Sequence, residues 1–139
     1  MKITEVKKLI ERTFENHGLS KKHSNICSNA LLNAELVGAP SHGLARIASY
    51  CNRIKKKVIN PKPKIKIKKI SPSITHIDAD NSVGFIGADL GINQAILNAK
   101  KTGIGFVAVK NSGHYGLSGY YAERAAKKGL VAFCFTNAP

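Results

Sequence analysis

Apolar side chains recur at helical spacing through the first third of the chain. One set ends at Gly18, and a second follows Ser20, a residue type that caps helix N-termini, and ends at Gly38. The two sets are Val6, Leu9, Ile10 and Phe14, then Ile26, Ala30, Leu31, Ala34 and Val37. A third helix is predicted from Ser41 to about Lys56. Three helices with apolar stripes predict a small helical subdomain.

The period of the pattern changes near residue 60. The segment Asn60-Pro61-Lys62-Pro63 breaks a helix, because proline lacks an amide hydrogen and fixes φ. Lysine then alternates with isoleucine from Lys64 to Ile70, the spacing of a strand in which Ile65 and Ile67 face inward. Lysines on the outer face are typical of an edge or linker strand, which they protect from pairing with other chains.

The remainder of the chain alternates strand and helix patterns. We predict strands at Ile74–Asp78, Gly105–Val109 and Leu130–Phe135, helices at Ile86–Lys101 and Tyr120–Lys128, and a turn at Asp80-Asn81-Ser82. The first of these helices ends at Gly103, and its predicted inner face carries Leu90, Ala95, Ile96 and Ala99. The predicted fold class is therefore α+β: a three-helix subdomain over residues 1–60, then an incomplete α/β sheet domain over residues 61–139.

A glycine-rich loop with a histidine precedes the last predicted helix. It reads Asn111-Ser112-Gly113-His114-Tyr115-Gly116-Leu117-Ser118-Gly119. Glycines let the backbone approach a ligand, amides at a helix start favour a phosphate or carboxylate, and histidine can transfer a proton near neutral pH. The glycines are three residues apart, unlike the G-x-G-x-x-G of a Rossmann turn. The loop indicates either a ligand site or a flexible connection with a solvated histidine.

A second candidate site lies at the start of the third helix. Ser41 is a natural N-cap, which places His42 in the first turn. The stripe opposite the apolar residues carries His42, Arg46, Tyr50 and Arg53. An arginine can hold a carboxylate in a fork while a histidine one turn away passes a proton to the neighbouring oxygen, so the pair suits a 2-keto or 2-hydroxy acid. The alternative is a solvated polar stripe.

The charge balance favours a different class of partner. The chain has 22 Lys and Arg against 8 Asp and Glu, a net charge of +14, which favours an anionic partner such as nucleic acid. However, arginine, which grips phosphates in a two-pronged contact, occurs only at Arg12, Arg46, Arg53 and Arg124, and no aromatic residues are interleaved for base stacking. We therefore predict a solvated lysine surface and no nucleic-acid partner.

Composition also bears on where the chain works. It has no apolar run of the ~20 residues that span a bilayer, and its first residues lack a secretory signal, so we expect no membrane partner. Cys27, Cys51 and Cys134 are too few and too scattered for a disulfide framework or a C-x-x-C metal site. We expect reduced cysteines, no metal site and a cytoplasmic location.

Several motifs, taken in order, resemble those of a known family. Ser41-His42-Gly43 with Arg46 and Tyr50 is followed by Ile77-Asp78-Ala79-Asp80 with Gly84 and by Gly103-Ile104-Gly105. The later motifs are Asn111-Ser112-Gly113-His114-Tyr115-Gly116, Tyr120-Tyr121-Ala122 and Thr136-Asn137-Ala138-Pro139. Along almost the whole chain, this series resembles the type 2 malate/L-lactate dehydrogenases, NAD(P)-dependent reductases unrelated to the Rossmann-type lactate dehydrogenases.

The resemblance implies hydride transfer between the nicotinamide of NAD or NADP and C2 of a small 2-hydroxy acid, 2-keto acid or cyclic imino acid. It implies that His42 is the acid/base, that Ser41 orients it and that Arg46 holds the substrate carboxylate. Some members assign the proton to His114 instead, and this alternative stays open. The cofactor would lie between two walls, one of Gly113, His114, Tyr115, Gly116, Leu117 and Ser118, the other of Thr136 and Asn137. The imidazoles of His42 and His114 should then lie on the order of 10 Å apart or less.

Length limits what this chain can be expected to do alone. Members of the family are more than twice as long as its 139 residues, so the resemblance implies an N-terminal portion, whose activity by itself is in question. In the family, further cofactor segments and an aspartate that supports the catalytic histidine follow. We expect a homo-oligomer, such as a dimer, or a complementary C-terminal chain. The alternative functions are a basic nucleic-acid-binding module and a relic or assembly module without catalysis.

Overall fold

The structure is a computed structural model that describes residues 2–137. Its helices are α1 (Ile3–Asn16), α2 (Lys21–Leu36), α3 (Ile47–Lys55), α4 (Gly84–Thr102) and α5 (Ser118–Ala126). Its strands are β1 (Lys66–Lys69), β2 (Ile74–Ser82) and β3 (Phe106–Ser112), and two 3₁₀ turns, Pro40–His42 and Leu44–Arg46, precede α3. Helices with a three-stranded mixed sheet confirm the α+β fold class.

The first two helices form where the apolar pattern places them. Ser20 caps α2 as predicted, because its Oγ accepts a hydrogen bond from the amide of His23 at 3.2 Å. Gly18 and Gly38 follow the two helices with φ of +93° and +77°, a left-handed backbone that glycine adopts without strain. The helices contribute Phe14 and other fully buried side chains to the core.

The start of the third helix differs from the prediction. Ser41 is not its N-cap, because two 3₁₀ turns intervene and α3 begins only at Ile47. Gly43 separates the turns and packs so closely on Glu35 that a Cβ would overlap the carboxylate. Glu35 Oε1 also accepts a hydrogen bond from the amide of Leu44 at 2.7 Å. A carboxylate from α2 therefore satisfies the amide that Ser41 was expected to cap.

The 3₁₀ turns also change which side chains face the core. Cys51 and Ile54 are buried as the apolar pattern predicts, but Ala48 is exposed. Tyr50, which the prediction put on the polar stripe, is only 4% exposed. The prediction was wrong there because it continued one regular helix through Gly43, where the chain changes its turn type.

The strands pair in the order β1-β2-β3, antiparallel in the first pair and parallel in the second. β1 lies at an edge of the sheet, as predicted, and all its residues are exposed. Ile67 was expected to face inward but is 54% exposed, because β1 makes its main contacts with β2 and receives no comparable cover from a helix. Ile65, just before β1, does pack against the core.

The predicted turn after residue 78 is part of β2. Asp80 and Asn81 have φ of +50° and +54°, and the register with β3 is irregular between Asp78 and Ser82. Asp80 Oδ2 accepts hydrogen bonds from the Asn60 side chain at 2.9 Å and from the Lys64 amide at 2.8 Å. Aspartate and asparagine tolerate positive φ in turns and bulges alike, so the sequence alone did not distinguish the two.

Helix α4 packs on the sheet through small residues. A Cβ at Gly91 would lie 3.2 Å from Cγ2 of Val109, so the backbone of α4 approaches β3 closely. The predicted inner face is confirmed only in part: Leu90 and Ile96 are half-buried and pack against buried clusters, and Ala95 and Ala99 are half-buried as well. The buried positions are Gly84, Phe85, Ile86, Gly87, Gly91, Ile92 and Asn98. Gly103 ends the helix as predicted, with φ of +83°.

The last part of the chain departs most from the predicted elements. β3 was expected to be buried, yet one of its faces is open and Phe106 is 58% exposed. Helix α5 begins two residues earlier than predicted. Residues 130–135 alternate in exposure as a strand would, but no neighbour within the described chain pairs with them, so they do not form the predicted strand.

The main core joins the helical segment to the start of α4. It contains Phe14, Tyr50 and Ile54 together with Phe85 and Ile86. Side chains from both sides of residue 60 share this core, and the division into domains at that residue stays a prediction. No helix in the described part of the chain combines the length and the apolar character needed to cross a membrane.

Candidate active site

The first 3₁₀ turn places Ser41 and His42 beside Arg46. Ser41 Oγ lies 3.1 Å from Nδ1 of His42, and Arg46 Nε donates to the carbonyl of Ser41 at 2.8 Å. Ser41 and Arg46 are exposed, and His42 is half-buried. Within residues 2–137, the ring of His42 makes one hydrogen bond, through Nδ1 to Ser41. Its Nε2 is therefore left to bind a ligand.

The guanidinium of Arg46 has no acidic partner within the described chain. Its side-chain hydrogen bond uses Nε, and the ion pairs there join other residues. Its two terminal amino groups therefore remain for an anion. A planar pair of N–H donors matches the geometry of a carboxylate, so Arg46 can bind one through charge-assisted hydrogen bonds.

His114 reaches the same surface from the loop between β3 and α5. Its ring centroid lies 5.7 Å from that of His42, with 28° between the ring planes. Its Nδ1 lies 2.7 Å from the hydroxyl of Tyr50. The separation of the two imidazoles agrees with the expected distance of one small substrate or less. Two motifs that are far apart in sequence thus meet at one place.

Burial and nearby positive charge act on this histidine. His114 is exposed as a residue, but its Nδ1 faces the buried Tyr50. Burial lowers the pKa of His114 below its usual 6.5, and the charges of Arg46, His42 and Arg53 lower it further. Its imidazole is therefore neutral at neutral pH. Burial likewise raises the pKa of the Tyr50 phenol well above its usual value of 10.

Two glycines let the loop that carries His114 lie against α4. A Cβ at Gly84 would overlap the carbonyl oxygens of Gly113 and His114, so the loop passes directly over the first residue of α4. Gly116 has φ of +81°, and a Cβ there would lie 2.6 Å from Cε1 of Phe85. Because both contacts require the absence of a side chain, they fix the path of the loop and the place of His114.

The residues predicted to bind the cofactor include an uncapped helix N-terminus. Leu117, at the N-cap of α5, makes no capping hydrogen bond, and the Ser118 hydroxyl pairs instead with that of Tyr115 at 2.8 Å. Gly119 is open, with no heavy atom within 4 Å of the position of a Cβ. First-turn amides without partners favour a phosphate, so this end of the loop fits a dinucleotide.

The other predicted wall does not join this loop. Thr136 and Asn137 are exposed, and Thr136 Oγ1 donates to the carbonyl of Asn137 at 3.3 Å. No hydrogen bond among residues 2–137 links them to the segment 113–118. Ala138 and Pro139, which complete their motif, lie outside the described residues.

The chain as a whole matches a known protein family. Residues 1–139 match the family described as malate/L-lactate dehydrogenase. The chain belongs to this family. L-sulfolactate dehydrogenase of Methanocaldococcus jannaschii is 37% identical over 131 residues, which are 94% of this chain and 38% of that protein. The solved structure of malate dehydrogenase from Pyrococcus horikoshii OT3 is similar with a TM-score of 0.88 and 35% identity, over 91% of this chain and 36% of that one.

Two further relatives carry a cofactor in their names. Ureidoglycolate dehydrogenase (NAD(+)) of Escherichia coli O157:H7 is 32% identical over 123 residues, 88% of this chain and 35% of that protein. (2R)-3-sulfolactate dehydrogenase (NADP(+)) of Chromohalobacter salexigens is 30% identical over 137 residues, 99% of this chain and 41% of that protein. The chain therefore spans 35% to 41% of the length of these family members.

The sequence did not identify two residues that position the site. Glu35 holds the turn after His42 from a different helix, and no local pattern connects it to that turn. Tyr50 belongs to the motif shared with the family, which was a signal of a role there. Its partner His114 lies 64 residues away along the chain, and spacing does not predict a contact at that range.

The site lies on an open surface. Ser41, Arg46 and His114 are exposed. Two concavities of the surface lie elsewhere, one lined by Glu5, Lys8, Leu9 and Arg12, and the other lined by residues 18–20, 23 and 61–63. Within the described chain, no three His, Cys, Asp or Glu side chains are grouped so that they could hold a metal ion.

Proposed function

We propose that this chain supplies the acid/base and carboxylate-binding residues of a nicotinamide-dependent oxidoreductase that interconverts a small 2-hydroxy acid and its 2-keto acid. One observation carries the proposal: the imidazoles of His42 and His114 lie 5.7 Å apart beside the unpaired guanidinium of Arg46. A proton-transfer group and a carboxylate-binding group on one surface match the two polar ends of such a substrate.

Each side chain has a separate task in this proposal. Arg46 holds the carboxylate through its terminal amino groups, which places the neighbouring C2 oxygen beside the imidazoles. During reduction, the doubly protonated ring of His42 gives the proton on Nε2 to that oxygen and becomes neutral, and during oxidation the neutral ring takes a proton at Nε2. In both forms the Ser41 hydroxyl accepts from Nδ1–H and keeps the ring in place. The cofactor, when bound, supplies or accepts the hydride at C2.

The loop Gly113–Ser118 and the first turn of α5 would hold the cofactor. The uncapped amides of α5 and the open position at Gly119 support this assignment, and Thr136 and Asn137 stay proposed as the opposite wall. Both NAD and NADP remain candidates, because family members carry one or the other in their names. The unpaired thiols of Cys27, Cys51 and Cys134 support the proposed cytoplasmic location.

Cofactor binding can be tested on the chain itself. We expect NADH or NADPH, titrated by its own fluorescence, to bind, and Gly119→Asp to weaken binding about tenfold or more, because it places a negative charge beside the phosphate. Ala126→Asp is the matched control, since it makes the same charge change at the far end of α5. Equal affinities in the two variants would argue against a phosphate at this helix.

Turnover needs a test that supplies the rest of the family's length. In a chimera, residues 1–137 of this chain replace the matching segment of the M. jannaschii L-sulfolactate dehydrogenase, which is 37% identical. We expect oxidation of NADH or NADPH with at least one of oxaloacetate, pyruvate and sulfopyruvate. The control is the M. jannaschii enzyme rebuilt from its own two segments in the same way. If this control is active and the folded chimera converts none of the three acids, the proposed function is wrong.

A second candidate is a basic module that binds nucleic acid. The exposed lysines of β1 and the net charge of +14 favour it. Binding of nucleic acid would weaken steeply with salt and would survive the loss of both histidines. Dinucleotide bound at α5 would not be displaced by nucleic acid.

A further inference from the structure

Tyr50 connects α3 to the loop that carries His114. Its hydroxyl lies 2.7 Å from Nδ1 of His114. Its ring packs at centroid distances of 5.1 Å from Phe85 and 6.4 Å from Phe14, and only 4% of the residue is exposed. Packing on both sides therefore fixes the hydroxyl, which faces one particular nitrogen of the imidazole.

The burial of Tyr50 decides which atom of this hydrogen bond carries the hydrogen. Burial raises the pKa of the phenol, so the hydroxyl keeps its hydrogen at neutral pH. A buried hydroxyl hydrogen needs an acceptor, and His114 Nδ1 is its partner among the hydrogen bonds of the described residues. Nδ1 therefore accepts, and a neutral imidazole that accepts at Nδ1 carries its hydrogen on Nε2.

The charges around His114 keep its ring neutral. Arg46, Arg53 and His42 all face it from α3 and the turns before α3, and each disfavours a second positive charge there. The segment 111–117 contains one other titratable residue, Tyr115, whose hydroxyl pairs with that of Ser118 at 2.8 Å. The carboxylate of Glu35, which lies against Gly43, is engaged with the Leu44 amide.

We propose that Tyr50 is a positioning residue that holds His114 as the neutral tautomer with its hydrogen on Nε2. The consequence for catalysis rests on the proposed function. Such a ring can donate a hydrogen bond to the C2 oxygen of the substrate, but giving the hydrogen away would leave an imidazolate anion. Proton transfer therefore falls to His42, and His114 orients and polarises the oxygen that His42 protonates.

The tautomer can be measured on the chain itself by NMR with ¹⁵N-labelled histidine. At neutral pH we expect the long-range ¹H–¹⁵N spectrum to show His114 with hydrogen on Nε2 and none on Nδ1. Tyr50→Phe keeps the packed ring but removes the donor, so the tautomers should mix and the pKa of His114 should rise. Tyr121→Phe is the matched control, because it removes another buried hydroxyl, bonded to the Tyr115 carbonyl at 2.7 Å, and should leave His114 unchanged.

Hydrogen on Nδ1 in the unsubstituted chain would overturn the proposal, whether or not Tyr50→Phe folds. An unchanged tautomer and titration in folded Tyr50→Phe would overturn it as well. Neither reading requires turnover, so failure here is distinct from failure of the proposed function, which the chimera decides. In an active chimera, His114→Gln keeps an N–H donor and should turn over about tenfold faster than His114→Ala, a difference of about 1.4 kcal/mol. Equal losses would show that His114 does not act as a donor.

Discussion

Arg46 and His42 have separable tasks in the proposed reaction although they are close neighbours. The carboxylate that Arg46 would hold is present before, during and after the chemical step. His42 contributes only while a proton moves. A contact made equally in the ground state and the transition state changes KM, whereas one made only in the transition state changes kcat. The two residues can therefore be distinguished by steady-state kinetics.

In the chimera, we expect Arg46→Ala to raise KM for the acid roughly 10- to 100-fold, from the loss of about 1.5–3 kcal/mol of charged hydrogen bonding. We expect His42→Ala to lower kcat roughly 10²- to 10⁴-fold, the usual contribution of a general acid or base. Arg53→Ala, at an exposed arginine of α3, controls for loss of charge alone and should change KM little. Small, equal effects of the first two substitutions would contradict the mechanism.

The lowered pKa of His114 links stability to pH. Just below the usual pKa of 6.5, His114 is protonated in the unfolded chain but still neutral in the folded chain, so acid favours unfolding. His114 therefore contributes stability above pH 6.5, and this stability is lost as the pH falls through 6.5 towards the lower folded pKa.

We expect His114→Gln to reduce the loss of stability on acidification below pH 6.5, measured by urea unfolding at several pH values. His76→Gln, at an exposed histidine of β2, is the matched control. It should leave the slope of the unfolding free energy against pH unchanged. Burial and the charge of Lys22 lower the pKa of His23 too, so part of the slope should persist. Identical slopes for His114→Gln and the unsubstituted chain would show that His114 is not held neutral.

At the residue scale, the sequence predicted what lies within a few positions. Ser41, His42 and Arg46 are near neighbours in sequence, so their meeting at the surface follows from almost any turn. Tyr50 was misplaced because its orientation depends on the turn at Gly43, which Glu35 on another helix stabilises. The orientation of such a side chain is set by contacts between segments that are distant in sequence, and a local pattern does not reveal those contacts.

At the scale of elements, the junction between α4 and the loop 113–116 connects the fold to the site. The loop crosses the first residue of α4, and a side chain at Gly84 would overlap two of its carbonyl oxygens. The sequence predicted both helix and loop, but placed the helix start two residues late and did not identify Gly84, Gly87 and Gly91 as buried positions. Glycines allow the closest approach between α4 and this loop, and a search for apolar side chains at helical spacing does not identify glycines.

Gly84→Ala should therefore displace the loop that carries His114. We expect a loss of roughly 1–3 kcal/mol in the free energy of unfolding, the usual cost of overpacking a buried contact, and a changed NMR signal of His114. Gly119→Ala is the matched control, because a Cβ there meets nothing within 4 Å and alanine favours the helix of α5. A stable Gly84→Ala with an unshifted His114 would show that this contact does not position the site.

At the scale of the whole molecule, the sheet is the part that stays open. Exposure alternates along residues 130–135, where the predicted strand does not form, and Val131, Phe133 and Phe135 are between 79% and 88% exposed. A strand also needs a hydrogen-bonded neighbour, and the sequence of the segment itself does not show whether one is present. Ile104 and Phe106 are similarly exposed at 67% and 58%. Large apolar side chains at such exposure are typical of surfaces that bind another protein segment.

We expect this chain to self-associate through these side chains, because burying exposed aromatic rings releases roughly 25 cal/mol per Å² of apolar surface. The rings of Phe133 and Phe135 are stacked 6.2 Å apart, so a partner can cover both at once. The double substitution Phe133→Ser, Phe135→Ser should lower the average mass measured by sedimentation over a range of concentrations. Leu36→Ser is the matched control, since Leu36 is a similarly exposed apolar residue, at 66%, on a different element, α2. A chain that sediments as a monomer at every concentration would refute the prediction, and so would association that the double substitution leaves unchanged, because the contact would then lie on another surface.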